Sequence, residues 1–84
     1  MPIKTQPLIF PIDFFGPVEL GKTIKAIRKG RGMSQRDVSM LTNTSIKFIS
    51  NIENGKMNSQ LEKVLLLLRV LDVGTRLIDL RERV

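Results

Sequence analysis

GMSQRDVSMLTNTSIKFISNIENGK, residues 32–56, holds two short helical patterns separated by a turn. Ser34 stands three residues before Asp37, the spacing of a capping box that opens a helix. Val38 and Leu41 give that helix an inward face, and Ser39 is small enough for close helix contact. Thr42-Asn43-Thr44 makes a tight connection, with Asn43 suited to a left-handed position. Ser45 then caps a second helix, which runs to about Asn54 and stops at Gly55. Ile49 and Ile52 mark its buried stripe, while Lys47, Ser50, Asn51 and Asn54 occupy the other side. Asn and Ser are poor helix formers. A face built from them costs local stability and needs a reason.

Helix punctuation continues on both sides. Pro17 opens an earlier helix in which Leu20, Ile24 and Ile27 share a face, and Gly30 and Gly32 end it. Downstream, Ser59 and Glu62 have capping-box spacing before LEKVLLLLRVLDV, and Gly74 is placed to stop that helix. The pattern predicts an all-α fold, a compact four-helix domain over residues 17–74. An extension, partly ordered, precedes it at 1–16, and a short strand and tail that serve dimerisation follow at 75–84. There are no internal repeats or low-complexity segments.

Composition narrows the chemistry. The 84 residues include no Cys and no His, which excludes disulfides, thiolate or imidazole metal sites and Cys or Ser–His nucleophile systems. No Gly-rich phosphate loop or paired carboxylates appear, so neither an enzyme nor a cofactor is expected. The longest apolar run, VLLLL at 64–68, is far below the ~20 residues that span a bilayer. MPIKTQPLIFPIDFFG has one Lys and an apolar stretch broken by prolines, unlike a signal peptide. The expectation is a soluble, cytoplasmic protein.

The net charge of +6 is unevenly placed. Residues 1–18 sum to zero, residues 19–56 carry +5 and residues 57–84 carry +1. A basic surface concentrated on one substructure is the footprint of a polyanion binder, or else a solubilising face. Two short helices joined by a tight turn, the second with an uncharged polar face, describe a helix-turn-helix. The major groove admits one helix, and its base edges demand short side chains that donate and accept. At about 100° per residue from Ile49, Lys47 and Asn51 lie nearly opposite the core, with Ser50 and Asn54 to one side. Asn51 suits a bidentate pair with adenine, and Lys47 suits guanine O6 and N7. Phosphates are positioning contacts. Gln35 and Arg36 at the start of one helix, Ser45 at the start of the next, and Asn54 and Lys56 at its end are candidates for them.

This segment resembles the helix-turn-helix core of the Cro/cI-type repressor superfamily. Gln35 opening its helix, small Ser39, the turn at Asn43 and the ISNIENGK ending carry the resemblance, which covers residues 19–74 with the flanking helices. Thr42 and Thr44 depart from it, standing where the family usually has aliphatic residues. The resemblance implies that Ile46, Lys47 and Asn51 face bases, with Ile46 against a thymine methyl, and that Gln35 grips the DNA backbone. It also implies a partly buried ion pair between Arg28 and Glu53.

The fourth helix has more apolar residues than one face needs. Leu61, Val64, Leu65, Leu68 and Leu71 form an inward stripe of ordinary width. Leu66, Leu67 and Val70 remain as a contact surface, most simply for a two-fold dimer. TRLIDLRE then alternates, placing Leu77 and Asp79 on one face and Ile78 and Leu80 on the other, as in a strand. Such a strand pairs with its copy across a dimer axis or with PLIFPIDFF, whose Pro7 and Pro11 disfavour the second.

Ser50-Asn51, the leucine-rich helix and the RLIDL strand are similar to the HipB-like antitoxins. That resemblance implies a homodimer with paired terminal strands, an operator, and a HipA-like serine/threonine kinase toxin, whole or split, as partner. A stand-alone phage-type repressor, or a module that chiefly neutralises a toxin, are the rival readings. The amino-terminal extension lies outside the shared pattern. Its Leu8, Ile9, Phe10, Ile12, Phe14 and Phe15 would pack on the protein's own dimer or dock a partner.

Overall fold

Each helix ends on a residue that the backbone drives into the left-handed region. The computed structural model of the chain describes residues 8–58 and 60–82. Helices α1 (Pro17–Gly30), α2 (Gln35–Leu41), α3 (Ile46–Glu53) and α4 (Leu61–Val70) follow one another, and a 3-10 turn spans Leu80–Glu82. The left-handed residues are Gly32, Asn43, Gly55 and Asp72, with φ of 72°, 56°, 82° and 65°. After each, the next N–H reaches back five residues: Met33 to Arg28 O at 3.1 Å, Thr44 to Ser39 O at 2.8 Å, Lys56 to Asn51 O at 2.8 Å and Val73 to Leu68 O at 2.9 Å. This is the Schellman closure, and it satisfies carbonyls that a helix end otherwise leaves open. Asp72, not Gly74, therefore stops α4.

The starts are also legible. Pro17 is the first residue of α1. The Ser34 hydroxyl accepts from Asp37 N–H at 3.0 Å, while the Asp37 carboxylate accepts from Ser34 N–H at 2.9 Å. Ser45 accepts from Phe48 N–H at 3.0 Å. The proposed cap at Ser59 lies outside the described residues.

The Ser34 backbone N–H, and then its hydroxyl, hold the Asp37 carboxyl below the usual carboxylate value. A carboxyl lowered in the folded state stabilises it above the unfolded pKa of about 3.9, and that contribution fades as pH falls through the lower folded value. Asp37→Asn should flatten this part of the acid limb when melting temperature is followed from pH 6 down to pH 2. A limb of unchanged steepness would mean that the box does not contribute.

Among the described residues, nine buried side chains form the core: Ile24 and Ile27 from α1, Val38 from α2, Ile49 and Ile52 from α3, and Val64, Leu67, Leu68 and Leu71 from or just after α4. Leu20, Met33, Phe48, Met57 and Val73 close around them. The stripe on α4 differs from the expected one. Leu67 is fully buried, which removes it from any dimer surface, whereas Leu61 and Leu65 are 67% and 40% exposed. Positions 64, 67, 68 and 71 keep helical spacing with Val64 as anchor. Four consecutive leucines carry no phase of their own, so sequence alone cannot say which of them turns inward.

Leu41 is also exposed, and Thr42 takes the buried place beside Val38. Its hydroxyl bonds Val38 O at 2.8 Å and shares a 2.8 Å hydrogen bond with Thr44 Oγ1. Two threonines thus satisfy each other where apolar side chains would pack.

The tail departs most from expectation. Residues 73–79 form no regular element. A strand is completed by a neighbour's backbone. In the single chain, Asp79 instead accepts the Arg81 N–H at 2.9 Å and its guanidinium at 2.9 Å, bending the segment into the 3-10 turn. Leu77 is fully exposed. Residues 8–16 run without helix or strand before α1. Phe14 and Phe15 there meet Leu20, Met57, Leu61 and Val64 around an open groove. No helix among the described residues is long and apolar enough to cross a membrane.

Candidate nucleic-acid interface

Helix α3 is fixed from beneath by one polar cluster. Glu53, at the end of α3, is 5% exposed, and Arg28, near the end of α1, is 6% exposed. Arg28 Nε donates to Glu53 Oε2, and Nη2 donates to Oε1 at 3.1 Å. Arg28 Nη1 donates to Met33 O at 2.8 Å, and Gln35 Nε2 donates to Glu53 Oε1 at 3.0 Å. A single carboxylate thereby ties α1, the turn after it and the start of α2 to α3. The planar guanidinium fork supplies the paired geometry, which a lysine would not. No buried side-chain polar atom among the described residues lacks a partner.

Gly21 brings the backbones of α1 and α3 together. A Cβ there would overlap the Ile52 carbonyl and lie 2.8 Å from the Glu53 carbonyl oxygen. Gly55 has a similar role after α3, since a Cβ on it would fall 2.9 Å from Val18 Cα. Neither contact was legible in the sequence. The available signal was a glycine inside a helix, Gly21, at a position that costs stability unless something packs against it.

With its inner face so held, α3 turns its other side outward. Ile46, Lys47 and Asn54 are exposed, and Ser50 and Asn51 are half-exposed. Ile49 and Ile52 are fully buried. Among the described residues, the side chains of Lys47, Ser50, Asn51, Asn54 and Lys56 are not bonded to other protein groups, unlike Gln35 and Ser45. Phe48 lies between the two faces, with Lys63 Nζ 5.7 Å from its ring centroid. That contact was not anticipated, and it reaches from α4 to α3.

The phosphate candidates sort into two groups. Arg36, Asn54 and Lys56 are exposed and free to turn. Gln35 and Ser45 already serve the fold, through Glu53 and the Phe48 N–H. The Gln35 amide keeps a second N–H for an outside acceptor. Arg31, overlooked in the sequence, donates from Nε to Leu71 O at 2.9 Å and ties the turn after α1 to the end of α4. Of the dimer candidates, Leu66, Leu77, Ile78 and Leu80 are exposed and Val70 is half-buried.

This arrangement presents hydrogen-bonding side chains on one rigid helix, flanked by cations, with its own acid neutralised underneath. It suits an approach to base edges between two phosphate chains.

Comparison with known proteins agrees. The chain superposes on HipB in a structure described as the HipA-HipB-O2-O3 complex, with a TM-score of 0.74 and 25% identity, over 81% of this chain and 96% of that one. HipB in a complex with an O4 20mer aligns equally well, with a TM-score of 0.74 and 25% identity over the same shares. The restriction-modification controller protein C.AhdI from Aeromonas hydrophila is 26% identical over 68% of this chain and 86% of that one, with a TM-score of 0.63. A mutant of the controller protein C.Esp1396I is 30% identical over 75% and 80%, with a TM-score of 0.63. No curated protein sequence matches. The helix-turn-helix family model matches residues 24–78, from the core of α1 into the tail. The chain belongs to the helix-turn-helix family and is a DNA-binding transcriptional regulator.

Proposed function

We propose that the protein is a dimeric repressor that reads an inverted-repeat operator through α3, and that it is the autoregulating antitoxin of an operon encoding a HipA-like kinase toxin. The observation that carries the operator reading is the outward polar face of α3, with Lys47, Ser50 and Asn51 clear of internal bonds and Ile46 exposed beside them. Asn51 pairs with an adenine, Lys47 with a guanine and Ile46 with a thymine methyl, while Ser50 contacts an adjoining base. Gln35, Arg36, Ser45, Asn54 and Lys56 hold the flanking phosphates. The HipA partnership is supported by the likeness to HipB, a protein seen in a HipA-HipB-O2-O3 complex.

A second reading keeps the operator and changes the operon. The 30% identity to the restriction-modification controller protein C.Esp1396I favours a controller of that kind. The neighbouring gene separates the two: a kinase-like toxin reading frame supports the antitoxin, and a restriction or modification enzyme reading frame supports the controller.

Fluorescence anisotropy with the DNA immediately upstream of its own gene tests the reading. Binding should be much tighter than to a scrambled duplex and should persist at physiological salt. Asn51→Ala should lose ~1–3 kcal/mol on the operator and relax preference at one base position. Lys56→Ala should weaken operator and scrambled DNA alike and lower the salt slope by about one. Equal losses on both duplexes for Asn51→Ala would remove that residue from base reading.

A further inference from the structure

The outer face of α4 carries a pattern with its own two-fold symmetry. The helix runs from Leu61 to Val70, so its midpoint falls between Leu65 and Leu66. Glu62 and Arg69 are equidistant from that midpoint and seven residues apart, two helical turns, so they share one face. At about 100° per residue, Leu65 and Leu66 flank the line between them on either side. Both leucines project into solvent, at 40% and 43% exposure, and Glu62 and Arg69 are exposed as well. The two charges lie about 10 Å apart along the axis, too far to pair with each other. The flank beside Leu66 is already occupied: Lys63 sits over Phe48, and Val70, seven residues on, is half-buried.

We infer that a second copy of the chain packs here with α4 antiparallel to α4 of the first, Leu65 and Leu66 meeting their own copies at the axis and Glu62 of each chain pairing with Arg69 of the other. A two-fold axis level with the helix midpoint and perpendicular to both helices brings Glu62 of each chain beside Arg69 of the other, because the two are equidistant from that midpoint. Antiparallel packing also sets the helix dipoles head to tail. Dipole complementarity within one chain explains an acid in the first turn and a base in the last. It does not explain why both share a face with the only two leucines of α4 near the midpoint that remain outside the core. The face of one short helix is smaller than a stable interface requires. The exposed Leu77, Ile78 and Leu80 of the tail that follows α4 extend it. This inference rests on the dimer reading and adds its register and its charge code, with Leu65 replacing the buried Leu67.

The test is a charge exchange in the full chain, followed by sedimentation equilibrium at low ionic strength, with circular dichroism melts to confirm folding. Wild type should dimerise, and Glu62→Arg and Arg69→Glu should each weaken self-association by ~10-fold or more, since attraction becomes repulsion at both ends. An equimolar mixture of the two variants should recover wild-type affinity, because every Arg then faces a Glu. A chain carrying both substitutions should pair with itself and reject wild type, which keeps the test decisive if either single variant unfolds. Wild type that dimerises while both single variants do so equally well would overturn the register and leave the dimer. Weakened variants that fail to rescue each other would mean the charges act within one subunit, which also overturns it. A monomeric wild type would remove the dimer reading itself.

Discussion

Glu53→Ala should cost roughly 3–5 kcal/mol of folding stability, because it strands the Arg28 guanidinium inside the protein. Arg28 is 6% exposed, and two of its donors face Glu53. Its remaining bond, to Met33 O, cannot offset the lost countercharge. Gln35 loses its acceptor in the same step. For a domain of this size the whole stability is of order 4–12 kcal/mol, from about 0.05–0.15 kcal/mol per residue. The variant should therefore lose at least about a quarter of the domain's stability, read as a lower midpoint in urea denaturation followed by far-UV circular dichroism.

The double variant Arg28→Met, Glu53→Leu gives the sharper contrast. It removes both charges and fills similar volume, so it should recover most of the loss. Arg28→Lys should not, since an ammonium cannot span both carboxylate oxygens and Met33 O together. If Glu53→Ala lost under 1 kcal/mol, the pair would be behaving as a solvated surface bridge, and α3 would owe its placement to the isoleucines alone.

How much of this was legible in advance depends on which physical signal each feature leaves in the chain. Helix starts and stops were readable at Ser34, Ser45, Gly32, Asn43 and Gly55, because caps and left-handed positions restrict residue type locally. Asp72 escaped because aspartate tolerates that conformation without being marked by it, and Gly74 nearby looked like the better stop. The phase of α4 failed for a different reason. Leu65 to Leu68 are interchangeable by hydrophobicity, and only packing against Val38, Ile49 and Ile52 decides which turn inward.

The strand over 75–82 was read from alternation, a true signal for a half-buried strand that says nothing about where the partner is. In one chain the segment is held by Asp79 and Arg81 instead. The polar face of α3 was readable because it breaks a local rule, placing poor helix formers where good ones would do. The Arg28–Glu53 pair was supplied by family resemblance. What resemblance and composition both missed were contacts between backbones, since a side chain that is absent leaves nothing to compare.

Gly21 is the case that tests this last point. In an isolated helix Gly21→Ala would stabilise by about 1 kcal/mol, through lower backbone entropy in the unfolded chain. Here the added methyl meets the Ile52 and Glu53 carbonyls, the latter 2.8 Å away. Both are backbone atoms at the end of α3, so no rotamer change relieves the contact. Either α1 moves outward from Ile49 and Ile52, or α3 moves and takes Lys47, Ser50 and Asn51 with it. Overpacking of this kind costs roughly 1–3 kcal/mol or more, and the rigidity of backbone neighbours puts it at the upper end. The net expectation is a loss of about 2 kcal/mol, a fall in melting temperature on the order of 10 °C. Operator affinity, measured well below that melting point, should fall further than affinity for scrambled DNA, because displacing α3 disturbs base contacts more than phosphate contacts. A melting temperature that rises would mean α1 and α3 do not approach through Gly21, and the placement of the reading helix would need another cause.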